Sequence, residues 1–228
     1  MVKNQNDIVE LLMENEETRT SFIVPIKKEY DGIRVKLEPG YWVNLQNIID
    51  DYEDKENGRL WKYFIAFLSL IKALCFERNY KGINNFTEIY PFDLCFHAAQ
   101  DPDIPLIIRS RFVGLIQHLH VDRDPLEPMI VPRLTRVWDE IDDEAEGRDE
   151  DDMPTKNEIP YLLNELPEFV RDYLLDVRVK QLSYEVDKND MTLSVLELTE
   201  ALILFGFFKT QKELVEVVDP LITLMDGS

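Results

Sequence analysis

Residues 117–128, QHLHVDRDPLEP, concentrate side chains that often do chemistry: two imidazoles, an arginine and three carboxylates. One interpretation is a zinc site, which needs three or four ligands that converge on the ion. His118 and His120 are two positions apart, and on a helix this spacing points side chains about 200° apart. No cysteine or third helical ligand is spaced to help them. We therefore predict no metal site here.

The same residues fit a structural corner between two helices. Asp122 follows the carboxyl end of a helix, where a carboxylate needs a cation, supplied by Arg123 or by another arginine. Asp124 suits the cap of a new helical turn, and Pro125 suits its first position because proline has no N–H to leave unbonded. Glu127 then falls at the third position of the turn. We predict a corner with a structural role, formed by Asp122, Arg123, Asp124 and Pro125.

Carboxylates are densest at residues 139–152, which hold ten acids and one arginine. From Asp142 onward, these acids and Gly147 follow much of the spacing of a helix-loop-helix calcium loop. Met153, however, stands where such a loop needs a bidentate glutamate. We predict an exposed acidic loop at 139–155, which leaves weak cation attraction open and disfavours a specific calcium site.

No residue of the chain makes a convincing catalytic candidate. A Ser/His/Asp set, a Cys/His pair and a glycine-rich phosphate loop are all missing in usable context. His97 lies in an apolar stretch, which favours a core or groove residue over a general base. We predict that the chain is not an enzyme, binds no cofactor and has no catalytic residues.

Composition limits the partners of this chain. Its 228 residues carry 45 acids and 25 bases, a formal net charge of -20 that repels nucleic acid and anionic membrane surfaces. The longest uncharged apolar run, residues 63–71, is far shorter than the roughly 20 residues that span a bilayer. We predict no nucleic-acid partner and no direct membrane insertion. Cys75 and Cys95 lie in apolar surroundings, which predicts reduced core thiols of a cytosolic protein.

Apolar residues at helical spacing predict a mostly helical chain. Residues 59–77 are apolar around most of a helix, which predicts a buried central helix stopped by Gly82. Pro105 begins the helix that runs into the corner, and Gly206 and a capping box at 210–213 border the last two helices. The intervals between helices, roughly 20 to 45 residues, favour stacked armadillo or HEAT hairpins.

We predict one unit over residues 1–228. Its parts are an irregular N-terminal part at 1–58, a helical part at 59–138, the acidic loop at 139–155 and a second helical part at 156–228.

Several segments resemble inositol trisphosphate receptors. The run 109–128, followed by RLTRVWDEI at 133–141, is similar to the segment in which a helix of those receptors ends in a His-Val-Asp-Arg-Asp-Pro corner. Further similar segments follow in the same order at 62–84, 166–177 and 202–226. The chain departs at Leu126, where the family usually has glutamine.

The resemblance implies the homology domain shared by inositol trisphosphate and ryanodine receptors, closer to the former, with an all-α, armadillo-type solenoid fold. It implies a cytosolic regulatory segment of a tetrameric calcium-release channel of the endoplasmic reticulum, which relays ligand-induced movement toward the pore. The implied partners are the other domains and subunits of the channel. Inositol trisphosphate is bound by an adjacent region outside this chain, so no ligand-binding residues are carried over. The alternative is an independent α-solenoid adaptor that binds a protein or peptide.

Overall fold

Helices make up most of the chain that the structure describes. This structure is a computed structural model, and it describes residues 2–14, 24–29, 32–38, 41–53, 59–129, 157–177 and 185–226. The helices are α1 (Val2–Met13), α2 (Leu45–Glu53), α3 (Arg59–Cys75), α4 (Tyr80–Phe86), α5 (Phe92–Gln100), α6 (Leu106–Ile116), α7 (Leu166–Val177), α8 (Val186–Leu204) and α9 (Gln211–Asp226). The predicted helical character is confirmed. The predicted acidic loop at 139–155 lies outside the described residues.

A small antiparallel sheet lies where the sequence predicts an irregular insert, in a fold that is otherwise helical as predicted. Its strands are β1 (Ile26–Glu29), β2 (Gly32–Glu38) and β3 (Tyr41–Asn44), paired in the order β1-β2-β3. Ile26 pairs with Val35, and the buried side chains of Ile33 and Val35 alternate with half-exposed ones as a strand requires.

The buried centre of the fold is α6 and not the helix at 59–77. Helices α3, α5 and α8 all pack against α6, so its buried residues lie on every side. Helix α3 instead keeps an outer face on which Leu60, Tyr63 and Leu70 are exposed. Both helices are apolar enough to be central, and only the arrangement of their neighbours decides which one is surrounded.

Helix α3 ends before the predicted Glu77, and Gly82 is not the residue that ends it. The helix ends at Cys75, and its Leu74 carbonyl accepts a 2.8 Å hydrogen bond from the buried Asn79 Nδ2. Gly82 lies inside α4, where a Cβ would be 2.6 Å from the Leu74 oxygen. The glycine therefore allows α4 to pack directly across the end of α3.

The C-terminal helix borders follow the predicted chemistry. Gly206 has a left-handed φ of 71° just after α8. At the start of α9, the Glu213 amide donates to Thr210 Oγ1 at 3.2 Å, as in a capping box. The Glu213 carboxylate reaches one residue further back than predicted and accepts from the Lys209 amide at 2.7 Å.

Both cysteines are free, buried core thiols, as predicted. Burial raises the pKa of Cys75 to about 12 and raises that of Cys95 further. Since the thiolate is the reactive form, both side chains serve as packing groups at neutral pH.

Replacing Gly82 with alanine tests the close contact between α3 and α4. We expect Gly82→Ala to lower the free energy of unfolding by about 1–3 kcal/mol, because the backbone carbonyl of Leu74 cannot move away without breaking the end of α3. Urea denaturation measures the loss. The matched control is Gly114→Ala in α6, whose Cβ would meet only the flexible side chain of Lys72. Equal losses in the two variants would contradict this account of Gly82.

Candidate functional site

The chain turns at the end of α6, and no second helix begins between Asp122 and Met129. Helix α6 continues into a π-helical turn at Gln117–Val121, which ends where the Asp122 amide donates to the Gln117 carbonyl at 2.7 Å. The chain then makes an irregular turn with a cis peptide bond between Asp124 and Pro125. The prediction that Asp124 caps a new helical turn is wrong. Its amide donates to the Tyr80 hydroxyl at 3.2 Å, and its side chain is 70% exposed.

Arg78 is the cation that Asp122 requires. Its Nε donates to Asp122 Oδ1 at 2.7 Å, and its Nη2 donates to the Leu126 carbonyl at 2.6 Å. Its Nη1 lies 3.6 Å from Asp124 Oδ1, and its guanidinium carbon lies 5.3 Å from the centre of the Phe205 ring. One side chain therefore connects the end of α3 to the corner after α6 and to the end of α8.

The charge environment keeps Arg78 in its cationic form. Burial lowers the pKa of Arg78, but the hydrogen bond that it donates to Asp122 and the charges of Asp122, Tyr80 and Asp124 outweigh this effect and raise the pKa overall. A guanidinium that donates to a carboxylate makes one of the stronger hydrogen bonds in proteins.

The backbone that presents Arg78 is strained. Glu77 and Arg78 have φ values of 55° and 56°, in the left-handed region that side chains with a Cβ rarely adopt. Such a conformation costs on the order of 1 kcal/mol per residue and persists only where neighbouring contacts hold it. The contacts of the Arg78 guanidinium are interactions of that kind.

Arg123 has a different partner from the one predicted. Its Nη1 donates to Thr87 Oγ1 at 3.2 Å and to the Leu119 carbonyl at 3.3 Å, and it makes no described ion pair with Asp122. The prediction that Asp122 pairs with Arg123 or with another arginine is therefore correct in its second form. No local sequence pattern marks Arg78 as the partner of Asp122, because the two residues lie 44 positions apart.

Asn157, which no sequence pattern marks, makes a second connection between the corner and the end of α8. Its Oδ1 accepts from the Glu127 amide at 3.1 Å, and its Nδ2 donates to the carbonyls of Glu127 at 2.7 Å and Phe205 at 2.8 Å. Nearby, the Met129 amide donates to the Leu204 carbonyl at 2.7 Å. The segment leaving the corner is thus hydrogen-bonded to the end of α8.

The two histidines of the corner point to different neighbours. The His118 ring meets Phe76 edge to face, with 5.5 Å between ring centres, and its Nδ1 is buried without a hydrogen-bond partner in the described residues. His120 lies against Phe92 with ring centres 5.8 Å apart, and its Nε2 is 2.9 Å from the Tyr90 carbonyl. They therefore share no ligand position.

Burial keeps both imidazoles neutral. It lowers the pKa of His118 to about 4, with a further decrease from the charge of Lys72. Burial also lowers the pKa of His120 to about 4, and the charge of Arg123 contributes, against the opposing hydrogen bond to Tyr90.

The described residues contain no group of three or more His, Cys, Asp or Glu side chains that could hold a metal ion. The calcium-like spacing from Asp142 to Met153 lies outside them. Within the corner, Asp122 is occupied by Arg78, and Asp124 is exposed beside it. The fold and the site together describe a helical scaffold with a charged joint where helix ends meet.

Comparison with known proteins supports a distant relation to the inositol trisphosphate receptor family. An inositol 1,4,5-trisphosphate receptor of Caenorhabditis elegans is 22% identical over 195 residues, a match that covers 76% of this chain. The chain spans about 7% of the length of that relative. No family model matches the sequence. The similarity is to the receptor family and does not identify a specific domain of it.

Removing the Arg78 side chain tests the joint. We expect Arg78→Ala to lower the free energy of unfolding by about 2–3 kcal/mol, because it leaves Asp122 and the Leu126 carbonyl without their cation. Chemical denaturation provides the measurement. The control is Arg171→Ala, which removes solvent-exposed ion pairs to Glu168, Asp172 and Glu216, each at 3.4 Å or more, and should cost roughly 1 kcal/mol or less. A loss no larger for Arg78 than for Arg171 would refute the role of the joint.

The histidines predict a specific pH dependence of stability. Their folded pKa values of about 4 lie below the ordinary 6.5, so only the unfolded chain takes up these protons between the two values. The stabilisation is complete above pH 6.5 and is lost as the pH falls toward 4, by about 2 kcal/mol per histidine at pH 5.

His120→Gln isolates this effect, because the glutamine amide can still donate to the Tyr90 carbonyl. We expect the variant to lose less stability than the parent between pH 7 and pH 5, by about 2 kcal/mol. Denaturation at the two pH values gives the difference. Equal losses of stability in the variant and in the parent would show that His120 does not titrate in this way.

Proposed function

We propose that this chain is a cytosolic regulatory segment of an intracellular ligand-gated calcium-release channel. In this proposal it corresponds to the homology domain shared by inositol trisphosphate and ryanodine receptors. It lies on the cytosolic face of the endoplasmic reticulum membrane, where armadillo-type stacking continues into neighbouring parts of the channel. The similarity to a receptor over 76% of the chain supports the assignment. Among the described residues, no helix is both long and apolar enough to span a bilayer.

The observation that carries the proposal is the joint around Arg78. A segment that relays movement must pass a displacement of one helix to the next, which requires contacts that do not slip. Arg78 joins the ends of α3, α6 and α8. Two further ion pairs fasten α8 along its length, from Lys72 of α3 to Glu197 at 2.8 Å and from Arg111 of α6 to Asp190 at 3.3 Å. Movement of one of these helices would carry the others with it.

The proposed partners are the other domains and subunits of the tetrameric channel. The proposal places inositol trisphosphate in an adjacent region of the channel, so the chain receives the ligand's effect through its neighbours. Relay of this kind requires two arrangements of the packed helices that the ligand favours differently. The function proposed is mechanical coupling, and we propose that the chain is not an enzyme.

A second candidate function is that of an independent helical adaptor. A cleft of about 610 Å³ favours it, because four acids line this cleft together with Arg109 and Phe169. These acids are Glu165, Glu168, Asp172 and Asp176. A lining of this charge would favour a basic protein or peptide. Binding of basic peptides by the isolated chain, with no effect of the joint on calcium release, would favour the adaptor.

Substitutions in the intact channel test the relay. We expect Asp122→Asn to raise the ligand concentration for half-maximal calcium release by about two- to thirtyfold, because it removes the negative charge that holds Arg78. Calcium flux from vesicles and ligand binding to the same preparations give the measurement. Asp124→Asn is the matched control. It removes the same charge from an exposed side chain whose oxygen lies 3.6 Å from Arg78 Nη1, too far for a hydrogen bond. Normal release in Asp122→Asn, with the ion pair shown to be lost, would remove the joint from the mechanism.

A further inference from the structure

A small pocket lies beside the corner and has mostly apolar walls. Its volume is about 250 Å³, and its walls include Phe92, Pro125, Leu126, Pro160 and Leu163. Cavities that take whole small molecules are usually about 300–1,000 Å³. This pocket is of the size that accepts one large side chain.

Three polar side chains, His120, Arg123 and Asp124, line the pocket. The first two have opposite hydrogen-bonding roles. The neutral His120 ring donates through Nε2 to the Tyr90 carbonyl, so its Nδ1 carries a lone pair and can only accept. Arg123 can only donate. Its Nη1 is held by Thr87 and by the Leu119 carbonyl. Its Nε and Nη2 have no hydrogen-bond partner in the described part of the chain, and neither has His120 Nδ1.

The charge balance of this arginine also bears on the pocket. The chain has a net charge of -20, and yet Arg123 makes no ion pair with any carboxylate in the described residues. Arg78, Arg111 and Arg171 make ion pairs, whereas Arg109, like Arg123, is held by a backbone carbonyl. Among the described residues Arg123 is positioned by neutral groups, and within this part of the chain its remaining donors are available to a guest in the pocket.

These features select among possible guests. A carboxylate would suit Arg123 but would meet the lone pair of His120 Nδ1 and the negative charge of Asp124. An ammonium group would suit Asp124 but would be repelled by Arg123. A hydroxyl can donate to the histidine and accept from the arginine, and the apolar walls require an apolar body behind it. A phenol has this combination.

We propose that this pocket is a docking site for the tyrosine side chain of a partner protein. The ring lies between Phe92, Pro125 and Leu163, and the hydroxyl reaches His120 and Arg123. Leu162 lines the pocket and is 55% exposed, and the neighbouring Tyr161 is 87% exposed, so an apolar surface leads to the opening. This inference does not depend on the proposed channel function.

The test uses N-acetyl-tyrosinamide as the probe, with the 228-residue chain labelled at the histidine nitrogens. We expect the probe to shift the NMR signal of His120 Nδ1 at neutral pH. N-acetyl-phenylalaninamide should bind about tenfold more weakly, because it leaves both polar groups unbonded. Equal affinities for the two probes, or no shift up to the solubility limit, would overturn the proposal.

Two further probes distinguish other guests. Stronger binding of N-acetyl-glutamic acid amide would make the pocket a carboxylate site, which contradicts the proposal. Binding of p-cresol without binding of N-acetyl-tyrosinamide would show that the pocket excludes a ring carried by a peptide chain, and it would also overturn the proposal.

A pair of neighbouring variants locates the binding. Leu162→Glu places a carboxylate in the pocket wall, where it can pair with Arg123, and should weaken N-acetyl-tyrosinamide binding about tenfold. Tyr161→Glu introduces the same charge on a residue that does not line the pocket, and should change binding less than twofold. Because both residues are exposed, we expect both variants to fold, which circular dichroism checks. Equal effects of the two variants would show that the probe binds elsewhere.

Discussion

The hydrogen-bonded ion pair between Arg78 and Asp122 is the interaction on which the rest of this structure depends. Helix α3 must end at Cys75 so that α4 can cross it, and the two left-handed residues that follow direct the guanidinium toward the corner. Their conformation is unfavourable alone, and a charge-assisted bond at a half-buried position can offset it. Together with the other contacts of Arg78, this bond connects the ends of α3, α6 and α8.

The corner satisfies polar groups that the surrounded helix α6 would otherwise leave buried. Its last turn widens into a π turn, the Leu119 carbonyl is bonded by Arg123, and the Leu126 carbonyl is bonded by Arg78. The imidazoles remain neutral because charging them would place cations in the core. The chemistry suggested by the residue types is thus used for packing and hydrogen bonding. The same arrangement places the Arg78 joint beside a pocket lined by His120, Arg123 and Asp124.

Distant similarity and physical structure support the functional proposal in different ways. The relative is an inositol 1,4,5-trisphosphate receptor, with 22% identity and a match to a small part of its length. The structure supplies contacts that a mechanical segment needs, since three helix ends meet at one side chain. Neither observation requires catalysis, and both concern how the chain connects to its surroundings.

The sequence by itself determined the local features. Apolar periodicity predicted the helices, and Gly206 and Thr210 marked helix borders because the chemistry of a border involves residues within one or two turns. It also predicted a structural corner at 122–125 and an arginine for Asp122. Only the tertiary structure decided that this arginine is Arg78, that Asn157 connects the corner to α8, that α6 is the surrounded helix, and that the N-terminal part forms a sheet. These contacts join residues far apart in the chain, and no local pattern encodes which distant partner the packing brings near.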